Sequence, residues 1–454
     1  MRLVLGSLLL STFSCSLVTA VPDDSTRDTS SQGGTTTSTG HGGSGAMGGS
    51  GAAAGSAVGG SGGAPCGGAN LETDPDNCGA CAWDCGDDTQ GAPLPCSSGV
   101  CAATIVEFGA QLISGLLVEG EKVILQRGAT LDRVTELEVR DVGLVGLPMV
   151  YALDDLEQGA GFLASGGPAQ FYYAPQLSPV PPQLLVCGLD GSACVLKDVR
   201  SVMEPGLTAG HVNGIVRLEL GDAAKLFMLF TAQAETSRKL SVVDETCVTE
   251  NVTCQDVSAQ SGELLSTSSS IPVHIDAQIT EGSDPSLWWT TFAISNEPSC
   301  VHRASSLASP SAAEVPCAIE LPSLHRLTVA GSNLFLGTPA GGAGPIHRVW
   351  NLAALSPSHV EISHTTARWP ADTDISLLYA FATPGANQSE PALGALRPDQ
   401  PTGGGVTKLG EVLLAANEVV TAVDASHTDY VFFATFDGND GNLYRWRKPA
   451  AGYQ

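Results

Sequence analysis

Residues 421–447 constrain the fold more than any other stretch of this chain. They read as three short strands: one holding Val423, a second over 430–436, and a third in which Leu443, Tyr444, Arg445 and Trp446 alternate. A turn over 425–429 joins the first two, and Asp437, Gly438, Asn439, Asp440 and Gly441 join the last two. Asp-Gly between β-rich runs marks a hairpin, because glycine takes positive φ without steric cost. Looser copies recur upstream. They run through Leu116, Val123 and Leu137; Val150, Phe171 and Leu184; Ile215, Lys225 and Lys239; His274, Leu287 and Cys300; Leu327 and Ile346; and onward from Ile375.

Each copy occupies about 35 to 60 residues and holds three or four short strands, the period of a β-propeller blade. The expected fold class is therefore all-β: a β-propeller over 102–454, preceded by a small disulfide-rich module. Seven blades is the count, with six as the near alternative; a pair of β-sandwiches or a β-helix also accommodates the irregular spacing. Residues 104–108 are placed to supply a strand that completes the last blade. Such closure removes the exposed sheet edges that would otherwise template aggregation.

Lys and Arg number 21 against 47 Asp and Glu, a formal charge of −26. A balance this acidic argues against nucleic acid, whose phosphates are neutralised by basic patches, and against docking on anionic lipid through protein charge. It favours solubility without self-association, hence a monomer.

Residues 1–20 read as an export signal, with Arg2 before an apolar run over 3–10 and a small-residue site at Val18, Thr19 and Ala20. Cys15 offers a second cleavage point, as the lipid-modified cysteine of a bacterial lipoprotein signal, although Phe13 is bulky where such signals carry small residues. Any membrane contact would then run through that lipid alone. Residues 21–65 collapse to Gly, Ser, Thr and Ala, a composition that cannot offset its ordering entropy. A flexible tether of this length reaches roughly 35–40 Å.

The chain has 13 cysteines, and setting Cys15 aside leaves twelve for pairing. Cys66, Cys78, Cys81, Cys85, Cys96 and Cys101 crowd into residues 66–101, a segment too poor in large apolar side chains to form a core. Three disulfides are expected there, among fifteen possible connectivities. The Cys78/Cys81 spacing also invites a redox or zinc reading, but the first lacks a βαβ context and the second needs reduced thiols. Within the array, Cys187/Cys194, Cys247/Cys254 and Cys300/Cys317 each flank a turn late in one unit, so each pair is expected to bridge adjacent strands.

The run from Thr73 through Asp74, Asn77, Cys78, Gly79 and Cys81, then Cys85, and Cys96 to Cys101 resembles the Cys-rich module of predicted secreted proteins in myxobacteria. Ala82 stands where that pattern has a second Gly. The resemblance covers under a tenth of the chain. It implies a surface address and a Gly/Ser tether, and no activity.

Catalytic signatures are sparse. No His-Glu-x-x-His zinc site or P-loop occurs, and no Gly-x-Ser-x-Gly elbow outside the tether. His211, His274, His302, His325, His347, His359, His364 and His427 are scattered, and His302, His347 and His427 read as solvated strand ends or turns. Asp437 to Gly441 resembles only the first half of a calcium loop. The aromatic pairs Tyr172/Tyr173, Trp288/Trp289 and Phe432/Phe433 could stack a sugar, but in half-buried strands they read as packing. No catalytic, cofactor-binding or metal residue is assigned, and no cofactor is expected. The leading reading is an exported, membrane-tethered binding module for a protein or glycan at the cell surface. The alternative is a propeller hydrolase or lyase with an axial site built from several blades, which rests on fold analogy alone.

Overall fold

The computed structural model describes residues 69–449, apart from 89, 131–132, 144–145, 154–160, 176–182, 200–209, 222, 233–237, 250–262, 266–269, 279–284, 294–298, 305–306, 308–316, 322–325, 331–332, 338–346, 351–358, 362–366, 375–376, 383–390 and 399–405. Cys15, Cys66, Cys254, His325, His364, the signal and the tether thus lie outside the described residues.

Among the described residues, seven four-stranded antiparallel sheets follow the module. They make blades 1 to 7, spanning 112–152, 162–198, 210–265, 270–321, 326–361, 367–413 and, for the last, 419–447. Their inner strands are Leu112–Glu119, Phe162–Ser165, Gly210–Leu220, Ser270–Gln278, Arg326–Ala330, Ala367–Thr373 and Val419–Asp424. These neighbour one another in chain order, and the last lies against the first, so the ring is closed. Blade 7 takes its fourth, outermost strand from the beginning of the domain: Thr104–Ala110 pairs with Gly441–Arg447.

Each blade is buried on both faces, and the second strands show how. Successive residues of a strand point to opposite faces, so one aromatic of each pair meets the preceding blade and the other the following one. Tyr172 packs between blades 2 and 3 and Tyr173 between blades 1 and 2. Trp289 and Trp288 divide in the same way between blades 3 and 4 and blades 4 and 5, as do Phe433 and Phe432 on the two sides of blade 7. All six are buried. The expectation of half-buried strands is corrected here: both sheet faces are core.

Five inner strands carry a bulge, with register shifts at Ile113/Gly115, Val212/Gly214, Pro272/His274, Arg368/Ala371 and Val420/Ala422. A bulge bends a strand and sharpens its twist, which suits strands converging on an axis. Two boundaries differ from the sequence reading. Val150 belongs to the outer strand of blade 1, Met149–Ala152, rather than to the second unit. The sixth unit begins at Ala367–Thr373, upstream of Ile375.

In the module, Cys78 bridges Cys96 and Cys85 bridges Cys101, and these four cysteines with Leu94 form its small core. Cys81 is disulfide-bonded as well. Cys187–Cys194 ties the outer hairpin of blade 2, and Cys300–Cys317 that of blade 4. The Cys247/Cys254 pair involves a residue outside the described set.

Candidate axial site

The inner strands of blades 4, 6 and 7 each place an aspartate at or near their ends, and each aspartate grips the next blade. Asp276 Oδ2 accepts the Val329 N–H of blade 5 at 2.7 Å, Asp372 Oδ2 the Ala425 N–H of blade 7 at 2.7 Å, and Asp424 Oδ2 the Val118 N–H of blade 1 at 2.7 Å. Thr328 of blade 5 donates in turn to Asp372 Oδ1 at 3.3 Å. All three carboxylates are buried.

Around the axis these contacts become a polar network. Glu119, at the end of the blade 1 inner strand, is hydrogen-bonded by Ser165 of blade 2 and lies within the fields of Arg217 of blade 3 and Asp424. Arg217 donates to Glu245 at 2.9 Å and to Glu219 at 2.9 Å, and Glu245 also takes the Tyr172 hydroxyl. The Lys448 ammonium donates to Ala425 O at 2.8 Å and pairs with Asp374 at 2.9 Å.

Burial sets the proton affinities. It pushes the Asp372 carboxyl up to about 7, and the neighbouring Asp424 charge adds to the rise while bonds from Ala425, Thr373 and the nearby Lys448 oppose it. Asp424 is also raised, chiefly by burial, against bonds from Ser426 and Val118. Glu119 is raised mainly by burial. Two neighbouring buried carboxylates make each other's ionisation more costly, so the pair titrates as a unit. Chemically, such a pair can exchange a proton near neutral pH.

The residues singled out from sequence fall elsewhere. His427 Nδ1 accepts the N–H groups of Asp429 at 3.0 Å and Tyr430 at 3.2 Å, so it shapes a turn, and burial lowers its affinity for a proton. His302 stacks on Trp289 and reaches Thr291 Oγ1 at 3.0 Å, in the core rather than at a solvated strand end. Asp437 Oδ1 accepts from Asn439 and Asp440, both at 2.8 Å, as a hairpin turn requires. The sulfurs of Cys78, Cys85 and Cys101 lie within 4.8 Å of one another, but all three are spent in disulfides. Asp276, Asp372, Asp424, Glu119 and Arg217 were not picked out from sequence. The only signal they leave is an apolar strand closing on a charged residue.

Fold and site together define an all-β, seven-bladed ring with a polar axis and a disulfide-stapled N-terminal module. No family model matches this chain. No curated protein matches it either. Among solved structures it is similar to the Dos1 propeller, with 10% identity over 78% of this chain and 79% of that one and a TM-score of 0.44. The polysaccharide lyase Uly1 gives 9% identity, 75% and 91% coverage and a TM-score of 0.47. The β-propeller domain of the Trilobed protease from Pyrococcus furiosus gives 9%, 75% and 96%, and 0.44. At these identities the likeness concerns architecture alone.

Proposed function

We infer that this chain is an exported binding module, held at the cell surface by the 21–65 tether and a lipid on Cys15, and that its propeller engages a protein or a glycan as a monomer. The observation that carries this reading is the set of disulfides in both the module and the blades, which form and persist in oxidising compartments. No helix among the described residues is long and apolar enough to cross a membrane. The axial aspartates each commit one oxygen to the amide of the next blade, a joining role within the ring.

A second reading rests on one specific observation. Asp372, held near neutrality beside Asp424, has the proton affinity of a general acid or base. One experiment separates the two. Oxidised full-length chain and its Asp372→Asn variant are assayed for saturable binding to immobilised surface glycans and envelope proteins, and for turnover of the same ligands. Binding without turnover, equal in both chains, supports the module. Turnover that Asp372→Asn abolishes replaces it with the enzyme. Incorporation of labelled palmitate, lost in Cys15→Ser, tests the anchor.

A further inference from the structure

The contacts of the Cys-rich module gather where the ring closes. The Trp83 indole N–H donates to Lys448 O at 3.0 Å, just beyond the third strand of blade 7. The Arg447 guanidinium lies 4.9 Å from the Trp83 ring and 5.2 Å from the Tyr430 ring, and the Arg445 guanidinium lies 4.9 Å from the Tyr430 ring. Arg445 also donates to Asp87 O of the module at 3.1 Å and to Val142 O of blade 1 at 3.4 Å, so one side chain spans module, last blade and first blade. Trp446 donates its indole N–H to Cys101 O at 3.0 Å. Val100 packs on the blade 6–7 core, over Gly410 of the outer strand of blade 6, where a Cβ would come within 2.8 Å of its methyls.

The closing strand itself is a poor fastener. Thr104–Ala110 meets Gly441–Arg447 with two register shifts, at Ile105/Glu107 and Glu107/Ala110. Its pairing also closes a loop nearly as long as the propeller, which costs chain entropy before any contact repays it. The module lies directly upstream, and Cys101 is three residues before the strand begins.

The geometry points to the module as the clasp of the ring: it docks across blades 6 and 7 and so fixes Thr104–Ala110 in place, making closure of the propeller conditional on the Cys85–Cys101 disulfide. That disulfide joins the two halves of the docking surface. One half is the 83–87 segment against Arg445, Arg447 and Lys448; the other is the 100–101 segment against Trp446 and Gly410. Without the bond, only the Cys78–Cys96 bridge and the intervening chain tie the halves together, several residues away from either contact. With it, both must leave together, and the strand is anchored at its N-terminal end. The clasp also reaches the axis through Lys448. Its carbonyl is held by Trp83, while its ammonium bonds Ala425 O and Asp374 and bears on Asp372 and Asp424. Docking thereby positions the one ammonium that faces the axial carboxylate pair in blades 6 and 7 among the described residues.

The test is amide hydrogen exchange on the oxidised full-length chain, read by mass spectrometry in peptides covering 104–110 and 441–447, with a peptide from blade 3 over 226–243 as internal reference. Trp83→Ala keeps every disulfide and removes the docking contact. The double variant Cys85→Ser, Cys101→Ser removes the staple. Both are expected to exchange at least about tenfold faster across the seam, with blade 3 unchanged. Cys187→Ser with Cys194→Ser, a disulfide remote from the seam, is expected to leave 104–110 as protected as in the parent. The inference is overturned if the seam stays protected in the first two variants. It is equally overturned if blade 3 loosens as much as the seam, or if the remote pair releases 104–110 as readily.

Discussion

Asp424 Oδ2 and the Val118 amide meet at 2.7 Å, so a side chain of the last blade holds the backbone of the first. The same move recurs from Asp276 to Val329 and from Asp372 to Ala425. Apolar packing alone would let neighbouring blades slide. A buried carboxylate that accepts a specific amide fixes their register, because leaving that amide unpaired in a buried site is expensive. The ring is joined by polar pins as well as by aromatic faces.

Removing a pin is costly in proportion to the donors it leaves behind. Asp424 also accepts from Ser426 N at 2.8 Å and from Ser426 Oγ at 2.5 Å. Asp424→Ala should therefore destabilise the ring by roughly 2–3 kcal/mol, read from the urea midpoint at constant slope.

Stability should depend on pH through Asp372. Its folded carboxyl titrates at about 7, above the ordinary carboxylate value near 3.8. Folding therefore binds a proton between those two values, and stability falls as pH rises through that window, then levels off above it. Glu418 works in the opposite sense. Burial raises its carboxyl, but bonds from Thr435, Ala415, Asn442 and Tyr444 outweigh that and lower it, so its contribution is complete above the ordinary carboxylate range and lost as pH falls through the folded value. Asp372→Asn should remove that fall, so its difference from wild type grows between about pH 4 and 7 and stays constant above about pH 7, measured as urea midpoints across and beyond that range.

The module carries a removable strain. Ala82 sits at φ 57°, in the left-handed region, with its N–H held by Asn77 Oδ1 at 2.9 Å. A Cβ is disfavoured there. Ala82→Gly should stabilise the module by about 0.5–1 kcal/mol, the relief of strain exceeding the entropy that glycine adds to the unfolded chain. Thermal melting of the oxidised chain checks this.

A second fastening lies at the outer seam. Arg127, with 3% of its side chain exposed, pairs with Glu138 at 2.5 Å and with Glu107 of the closing strand, while Arg140 reaches Glu107 at 2.9 Å and also contacts Glu138. Arg127→Ala leaves Arg140 as the remaining guanidinium partner of both glutamates and should cost roughly 2–3 kcal/mol in a denaturant titration, the loss of charge-assisted bonds rather than of all compensation.

The parts of this architecture that show in the sequence are those with local causes. The last unit was readable because its turns carry Asp-Gly and its strands alternate, and the observed strands Val419–Asp424, Tyr430–Phe436 and Gly441–Arg447 follow that pattern closely. The outer strand holding Val150 was assigned to the wrong unit because outer strands are short and half-exposed, with no period of their own. The inner strand of blade 6 was missed because Pro370 sits in its bulge, and proline reads as a break. The axial pins were invisible for a different reason. An aspartate closing a strand looks like any solvated turn acid until the next blade supplies the amide it accepts, and that neighbour lies some fifty residues away (276 to 329, 372 to 425) or at the other end of the chain.

The most direct test of the closed ring is a pair of engineered cysteines in the full chain. Thr104 lies opposite Arg445 across the seam, whereas Asn442 is three residues further along the same strand. Directly opposed residues in an antiparallel ladder stand within disulfide reach, about 4.5–5.5 Å between Cα atoms, and residues three apart do not. Under mild oxidation Thr104→Cys with Arg445→Cys should give a linked peptide by mass spectrometry, and Thr104→Cys with Asn442→Cys should not. Failure of the first pair to couple, or equal coupling of both, would contradict a propeller closed by its own first strand.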